Sequence, residues 1–261
     1  MDSGLLRDAL TVVLGIASGA LSGAVGVGGA IISTPGVRLL GASAFVAVGT
    51  TLPSILPGAV AGTARYAREG LVDWRVVVVA APVGVVAAVA GSLASHAVPG
   101  DGDWLMVVTA VLVGFTAVRM LRPPEENGGA SARTARRSTA RAAAVGGGAG
   151  LLSGLLGVGG GIVLVPGLSQ VLGLELKTTV ATSLACVGIL AVPSTVTHAF
   201  LGDIDWRMAL LLTAGAVPGA RLGAALSIRT GDRRLRLALG VFLGVVALAY
   251  GGGELTAALS S

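Results

Sequence analysis

Long runs without any charged residue constrain this chain more than any other feature of its sequence. Such runs span residues 9–37, 39–64, 76–100, 142–174 and 178–202. Each is longer than the about 18 apolar residues that make a membrane-spanning helix, given a hydrocarbon core of roughly 30 Å. The sequence therefore predicts an all-α, polytopic membrane protein, and it excludes a soluble globular domain and a disordered chain.

The charged residues that remain do not indicate a nucleic-acid-binding protein. The net charge is +5, but only 12% of the residues are charged, against about 25% in a soluble protein. The basic residues lie between the apolar runs, where they are expected to face water and lipid headgroups. A single cysteine, Cys186, excludes an internal disulfide and a cysteine-based metal cluster.

The sequence contains an internal repeat. Leu-Ser-Gly at 21–23, Gly-Val-Gly-Gly at 26–29 and Pro-Gly at 35–36 recur 131 residues later, at 152–154, 157–160 and 166–167. With one residue gained, Asp-Trp-Arg at 73–75 recurs 132 residues later at 205–207. An Asp-Trp-Arg triplet is not low-complexity sequence, so we interpret the pattern as an internal duplication.

Each half divides into five apolar segments. They are 9–24, 26–40, 43–64, 74–98 and 103–120 in the first half, and 141–155, 157–172, 178–200, 206–228 and 235–252 in the second. Residues 122–140 combine Pro, Gly and charge and are expected to form a solvated linker. The predicted organisation is a first membrane repeat at 1–121, a cytoplasmic linker at 122–140 and a second membrane repeat at 141–261.

The distribution of Lys and Arg predicts the orientation, because basic residues remain on the cytoplasmic side. Five crossings per half place the linker arginines, Arg65, Arg68 and Arg229 together inside the cell. An odd number of crossings inverts the second half relative to the first, as in many secondary transporters. The prediction is eight to ten transmembrane helices in a cell membrane; whether the short second segments span or are re-entrant is left open.

The glycine clusters after the first segment of each half are candidate binding sites. Several adjacent glycines break a helix, and broken backbone at membrane depth occurs where protein buries it or where it lines a wet cavity. A helix starting at Gly28 or Gly159 would direct its N–H groups and positive dipole end at that cavity, where an oxyanion could bind. The alternative is close helix packing by small residues. The candidate residues are Ser22, Gly23, Gly26, Gly28 and Gly29, with Ser153, Gly154, Gly157, Gly159, Gly160 and Gly161 in the second half.

Hydroxyl and basic side chains complete the candidate site. Thr50, Thr51, Thr182 and Ser183 occupy matching positions in the third segments. Their hydroxyls could donate to an anion or could bond back to the carbonyl four residues earlier. Arg221 lies inside an apolar segment, where it could bind the anion or extend its guanidinium to the membrane surface.

No enzyme active site is recognisable in the sequence. No serine lies in Gly-x-Ser-Gly, the glycine clusters lack the third glycine of a dinucleotide loop, and no Walker A lysine is present. We expect no catalytic residue, no metal and no cofactor. Transport would then depend on an ion gradient or on a partner.

The doubled Ser-Gly-x-x-Gly-Val-Gly-Gly motif, the downstream Pro and the Asp-Trp-Arg triplet resemble the TauE/SafE sulfite exporter family, also called TSUP or DUF81. The resemblance covers most of both halves, with Ala30 in place of a glycine. It implies a permease of the inner membrane for small sulfur-containing anions. The family motif falls on the glycines named above and on Pro35 and Pro166.

The function expected from these features is secondary transport of a small sulfur-containing anion, such as sulfite, thiosulfate or an organosulfonate, by alternating access. The alternatives are a permease or channel for another small anion and a non-transporting accessory subunit. The expected partners are the anion, a coupling ion for which the proton is a candidate, and the lipid bilayer. No nucleic acid is expected, and a homo-oligomer is left open.

Overall fold

The structure is a computed structural model that describes residues 3–95, 139–156 and 160–235, with isolated residues at 118, 237–238, 240–241 and 244–245. The described part is helical, with short connections. Its helices are α1 (Ser3–Val25), α2 (Ala30–Leu39), α3 (Ala44–Arg68), α4 (Trp74–Ser95), α5 (Thr139–Leu156), α6 (Gly161–Pro166), a π-helical turn (Gly167–Val171), α7 (Leu176–Leu201) and α8 (Trp206–Arg229).

Five of these helices are long and apolar enough to cross a membrane. They are Gly4–Val25, Phe45–Arg68, Trp74–Ala94, Leu176–Leu201 and Trp206–Arg229. The prediction of an all-α, polytopic membrane protein is therefore confirmed. The predicted segments at 103–120 and 235–252, and the linker up to Thr139, lie almost entirely outside the described residues.

The first helix begins earlier than the apolar pattern predicted. The predicted start was residue 9, but α1 begins at Ser3 and includes Arg7 and Asp8. The Asp8 carboxylate accepts a hydrogen bond of 2.6 Å from the Arg207 guanidinium, and Arg7 lies 3.1 Å from the Met208 sulfur. These contacts with α8 give partners to the two charged side chains near the start of α1, a stretch that the apolar pattern did not include in the segment.

The second segment of each half contains only a short helix. Helix α2 has 10 residues, which corresponds to about 15 Å, half the thickness of the hydrocarbon core. Its counterpart, Gly161–Val171, is also short. Helix α2 runs back along α1, because Gly29 packs beside Ser18 and Gly36 beside Leu14. The junction at 26–29 and the short helix α2 together return the chain toward the end of the bundle where α1 begins.

Glycine stripes bring α1 and α8 into backbone contact. A Cβ atom on any glycine of either stripe would overlap a main-chain carbonyl oxygen of the other helix. The pairs are Gly15 with Leu212, Gly19 with Ala216, Gly23 with Ala220, Gly215 with Val12, Gly219 with Ile16 and Gly223 with Ala20. Small residues every fourth position permit this close approach, and the order of the pairs shows that the two helices are parallel.

Helices α4 and α5 pack in the same way. Gly146, Gly150 and Gly154 of α5 contact the main chain of Ala80, Gly84 and Ala88 of α4. These two helices are also parallel. The first helix of each half thus packs on the fourth helix of the other half, as a two-fold relation between the halves requires.

The first helices of the two halves run in opposite directions. Helix α3 is parallel to α8, since Gly58 lies beside Ala216 and Gly62 beside Ala220. Helix α7 is antiparallel to α3, with Gly62 beside Leu184 and Gly188 beside Ala59. Helix α4 is parallel to α7, because Asp73 contacts Thr182 and Gly84 contacts Leu190. Helix α5, parallel to α4, is therefore antiparallel to α1.

Basic side chains concentrate at one end of the bundle. The end of α3, the starts of α4 and α7 and the end of α8 meet there, where the Lys177 ammonium donates to the Ile228 carbonyl. We call this the basic end; it carries Arg65, Arg68, Arg75, Lys177, Arg229, Arg233 and Arg234. The opposite end carries Arg7, Arg38 and Arg207. Arg65, Arg68 and Arg229, which the sequence analysis placed together on one side of the membrane, thus lie together at the basic end.

We expect Gly150→Val to destabilise the protein strongly, because the new side chain would overlap the Gly84 main chain and force α4 and α5 apart. Overpacking of this kind costs about 1–3 kcal/mol or more. Gly148→Val is the matched control, since it lies in the same helix and no atom lies within 4 Å of its Cβ position. Thermal unfolding in detergent should show a lower Tm for Gly150→Val alone; equal losses would contradict the stripe interpretation.

Candidate functional site

Each half contains a glycine junction between its first and second helices. Gly26 follows α1 with a φ of +72°, and Gly160 precedes α6 with a φ of +67°. Left-handed backbone costs other residues roughly 1–2 kcal/mol, so these positions favour glycine. The structure begins the second helices at Ala30 and Gly161, two residues after the predicted starts at Gly28 and Gly159. Gly157 and Gly159 lie outside the described residues, and Gly28 is buried.

The two junctions meet inside the bundle. A Cβ atom on Gly161 would overlap the main chain of Val27, so the start of α6 touches the junction that precedes α2. Gly26 packs equally closely on the main chain of Val180 in α7. Close packing therefore requires glycine at Gly26 and Gly161, as in the packing interpretation that the sequence left as an alternative.

Thr182 and Ser183 join α7 to the first half of the chain. The Thr182 hydroxyl accepts a hydrogen bond of 3.0 Å from the Asp73 N–H, and the Ser183 hydroxyl donates one of 2.6 Å to the Gly26 carbonyl. Both side chains are completely buried. The sequence analysis left open a local hydrogen bond to the carbonyl four residues earlier; neither of these two hydrogen bonds is of that kind.

Thr50 and Thr51 occupy the equivalent positions in α3. The Thr50 hydroxyl accepts a hydrogen bond of 2.9 Å from the Asp205 N–H, which is the counterpart of the bond between Thr182 and Asp73. The Thr51 hydroxyl donates to the Val48 carbonyl at 3.0 Å and lies 3.2 Å from the Thr34 hydroxyl. Thr34 is a buried hydroxyl beside the candidate site that the repeat did not reveal, because Val165 replaces it in the second half.

The repeated Asp-Trp-Arg triplet forms the corner before α4 and before α8. The Asp205 carboxylate accepts from the Met208 N–H at 3.1 Å, and the Asp73 carboxylate accepts from the Arg75 N–H at 3.2 Å. Both aspartates thus bond the first N–H groups of a helix, a role for which Asp is strongly preferred. An Asp directly before an apolar run is a helix-start signal, so this role could have been predicted from the sequence.

The two serines at the junctions differ in their surroundings. Ser22 is 5% exposed and Ser153 is 0% exposed. Within the part of the chain that the structure describes, the Ser153 hydroxyl has no hydrogen-bond partner. It lies beside Gly160, whose Cβ position would be 3.3 Å from the Ser153 Cβ. A buried donor of this kind adjoins the start of α6.

Tyr66 and His198 are equivalent residues near opposite ends of the bundle. The Tyr66 hydroxyl donates to the Gly23 carbonyl at 2.7 Å, and the His198 Nδ1 lies 2.9 Å from the Asp203 carboxylate. Both residues are buried, and each binds part of its own half. Cys186 is completely buried in α7.

Arg221 lies on the outer surface of α8 and is exposed. Its neighbours Leu222 and Leu226 are 66% and 65% exposed, as expected for side chains that face lipid. This position separates the guanidinium from the junctions and favours extension toward the membrane surface over contact with an internal anion.

Comparison with known proteins identifies the family. The profile of the family described as "Sulfite exporter TauE/SafE" matches residues 11–250. The chain belongs to the TauE/SafE family. The resemblance seen in the doubled motif is thereby confirmed. No solved structure matches the chain.

Two relatives that match most of the chain are named as probable membrane transporters. A "Probable membrane transporter protein" of Xylella fastidiosa (strain 9a5c) is 29% identical over 230 residues, which cover 84% of this chain and 86% of the relative. The "Probable membrane transporter protein YjnA" of Bacillus subtilis (strain 168) is 25% identical over 244 residues, covering 86% and 92%. The family, these relatives and the five long apolar helices establish a multi-pass membrane transporter.

We expect Arg221→Gln to leave the KM for the transported substrate within about twofold of wild type, because the side chain is exposed on the outside of α8. A direct hydrogen bond to a charged group contributes about 1.5–3 kcal/mol, so loss of such a bond would raise KM about tenfold or more. Initial uptake rates in proteoliposomes measure the difference. A tenfold increase would show that Arg221 contacts the substrate.

Proposed function

We propose that this chain is a secondary transporter that moves a small sulfur-containing anion, such as sulfite, thiosulfate or an organosulfonate, across the membrane. The family supplies the substrate class, because its description names a sulfite exporter. We include a coupling ion, with the proton as the first candidate to test.

The contact between the two glycine junctions carries the proposal. Gly161, at the start of α6, packs on Val27, three residues before the start of α2. The amino-terminal ends of two half-length helices are thus near one another inside the bundle. The partial positive charge and N–H groups at such ends favour an oxyanion. In other secondary transporters, broken helices of this type hold anionic groups near the midplane.

We assign the anion site to the junction residues Ser22, Gly26, Gly28, Gly29, Gly157, Gly159, Gly160 and Gly161, with Ser153 as the side-chain donor. Gly23 and Gly154, also named from the sequence, belong to the glycine stripes that pack α1 on α8 and α5 on α4. Its hydroxyl is buried and has no partner among the described residues. Thr50, Thr182 and Ser183 already bind main-chain groups. We do not include Arg221, since it lies on the outer surface.

We also propose that the halves at 1–121 and 141–261 are inverted repeats around a cytoplasmic linker at 122–140, and that they move relative to one another to alternate access. The opposite directions of α1 and α5 support the inversion. The basic end would then be cytoplasmic, because basic residues remain on that side of a membrane.

Counterflow in proteoliposomes tests the transport function. Liposomes loaded with unlabelled sulfite, thiosulfate or an alkanesulfonate should accumulate the labelled anion transiently, and at least one of these anions should give trans-stimulation. Uptake without trans-stimulation would indicate a channel, and no uptake of any anion would indicate an accessory subunit. Repeating the assay with and without a pH gradient tests proton coupling.

We expect Ser153→Ala to raise the KM for the anion about tenfold with little change in Tm. The variant removes a donor to a charged ligand, worth about 1.5–3 kcal/mol, and breaks no hydrogen bond among the described residues. Ser194→Ala is the matched control, because Ser194 is equally buried but donates to the Leu190 carbonyl at 3.2 Å. Equal KM values in the two variants would show that Ser153 does not bind the anion.

A further inference from the structure

We propose that Thr182 and Thr50 are positioning residues that hold the two ends of the bundle closed, each by binding a corner of the opposite half. The corners are the Asp73 corner, residues 69–73 between α3 and α4, and the Asp205 corner, residues 202–205 between α7 and α8. The proposal rests on the proposed transporter function, and it assigns the two threonines to the moving parts and not to the anion.

The two hydrogen bonds are equivalent and lie at opposite ends. Thr182 of the second half accepts from the Asp73 N–H of the first, at 3.0 Å, at the basic end. Thr50 of the first half accepts from the Asp205 N–H of the second, at 2.9 Å, at the opposite end. Both threonines are completely buried. The N–H of a residue that precedes a helix has no partner within that helix, so each threonine supplies an acceptor from across the bundle.

The bond at the basic end is coupled directly to a glycine junction. Ser183, next to Thr182, donates to the Gly26 carbonyl at 2.6 Å, and Gly26 also packs on the Val180 main chain. Three nearby residues of α7 therefore hold both the junction and the corner of the first half. A movement of this part of α7 therefore acts on both contacts at once.

Both hydrogen bonds are present in this structure, so the corner at each end of the bundle is bound to the opposite half. Alternating access requires that one end opens while the other stays closed. Separate bonds at the two ends permit this, because release of Asp73 by Thr182 leaves the bond between Thr50 and Asp205 intact. A single hydrogen bond is weak enough for its loss to change an equilibrium severalfold without unfolding the protein.

Matched cysteine reporters distinguish the two ends. Val76 and Met208 are the equivalent third residues of α4 and α8, and each is 4% exposed. In the Cys186→Ala background, Val76→Cys reports on the basic end and Met208→Cys on the opposite end. The measurement is the rate at which fluorescein-5-maleimide labels the purified full chain in detergent.

Thr182→Val should raise the labelling rate of Val76→Cys severalfold and leave that of Met208→Cys unchanged. Thr50→Val should do the reverse. The serine variants at both positions should restore wild-type rates, because serine retains the accepting hydroxyl. Where a valine variant does not fold, the comparison of Thr→Ala with Thr→Ser at the same position decides the question in the same way.

Equal effects on both reporters, no effect on either, or serine variants that behave like valine would overturn the proposal. Transport gives an independent readout: the valine variants should lower the exchange rate and keep the KM within about twofold, whereas a direct anion contact would raise KM about tenfold. Labelling needs no substrate. Failure of the transport proposal and failure of the closing role therefore give different results.

Discussion

Main-chain groups that leave a helix inside a membrane must find hydrogen-bond partners within the protein, and this requirement organises the whole bundle. Water is absent from the hydrocarbon core, so each unsatisfied N–H or C=O group is costly there. The junction after α1 is such a place, and the N–H groups of Asp73 and Asp205, at the corners before α4 and α8, also point into the protein at the two ends of the bundle. Thr50, Thr182 and Ser183 supply their partners, and all three reach across from the opposite half.

Close approach of main chains is the second condition for this arrangement. Hydroxyl side chains are short, so they reach the opposite half only where helices pack tightly. Two glycines provide that proximity: Gly49, next to Thr50, packs on the Asp203 main chain, and Gly26 packs on the main chain of Val180, two residues from Thr182. Lipid tails are as apolar as leucine side chains, so van der Waals packing and hydrogen bonds, and not burial from water, hold such helices together.

Much of the fold could be predicted from the sequence, because charge-free runs and a repeated motif report directly on lipid exposure and duplication. The predicted segments at 43–64, 178–200 and 206–228 correspond closely to α3, α7 and α8. The start of α1 was wrong, because the ion pair between Asp8 and Arg207 depends on a partner far along the chain.

The candidate site was less accessible to sequence reasoning. The glycines were recognised, but their spacing alone does not show whether packing or ligand binding requires them. The acceptors of Asp73 and Asp205 lie 109 and 155 residues away in sequence, and no local pattern reveals them. Arg221 had two open interpretations, because the direction in which a helix turns its side chains depends on tertiary packing.

The exchange of partners between the halves also imposes an order on assembly. Helix α1 is synthesised well before α8, yet the glycine stripe against which it packs belongs to α8, which enters the bilayer later. Until then its glycine face remains against lipid tails. The helices can therefore assemble into the native bundle only late in biosynthesis. Until α8 is inserted, α1 must remain in the membrane either alone or bound to another helix or protein.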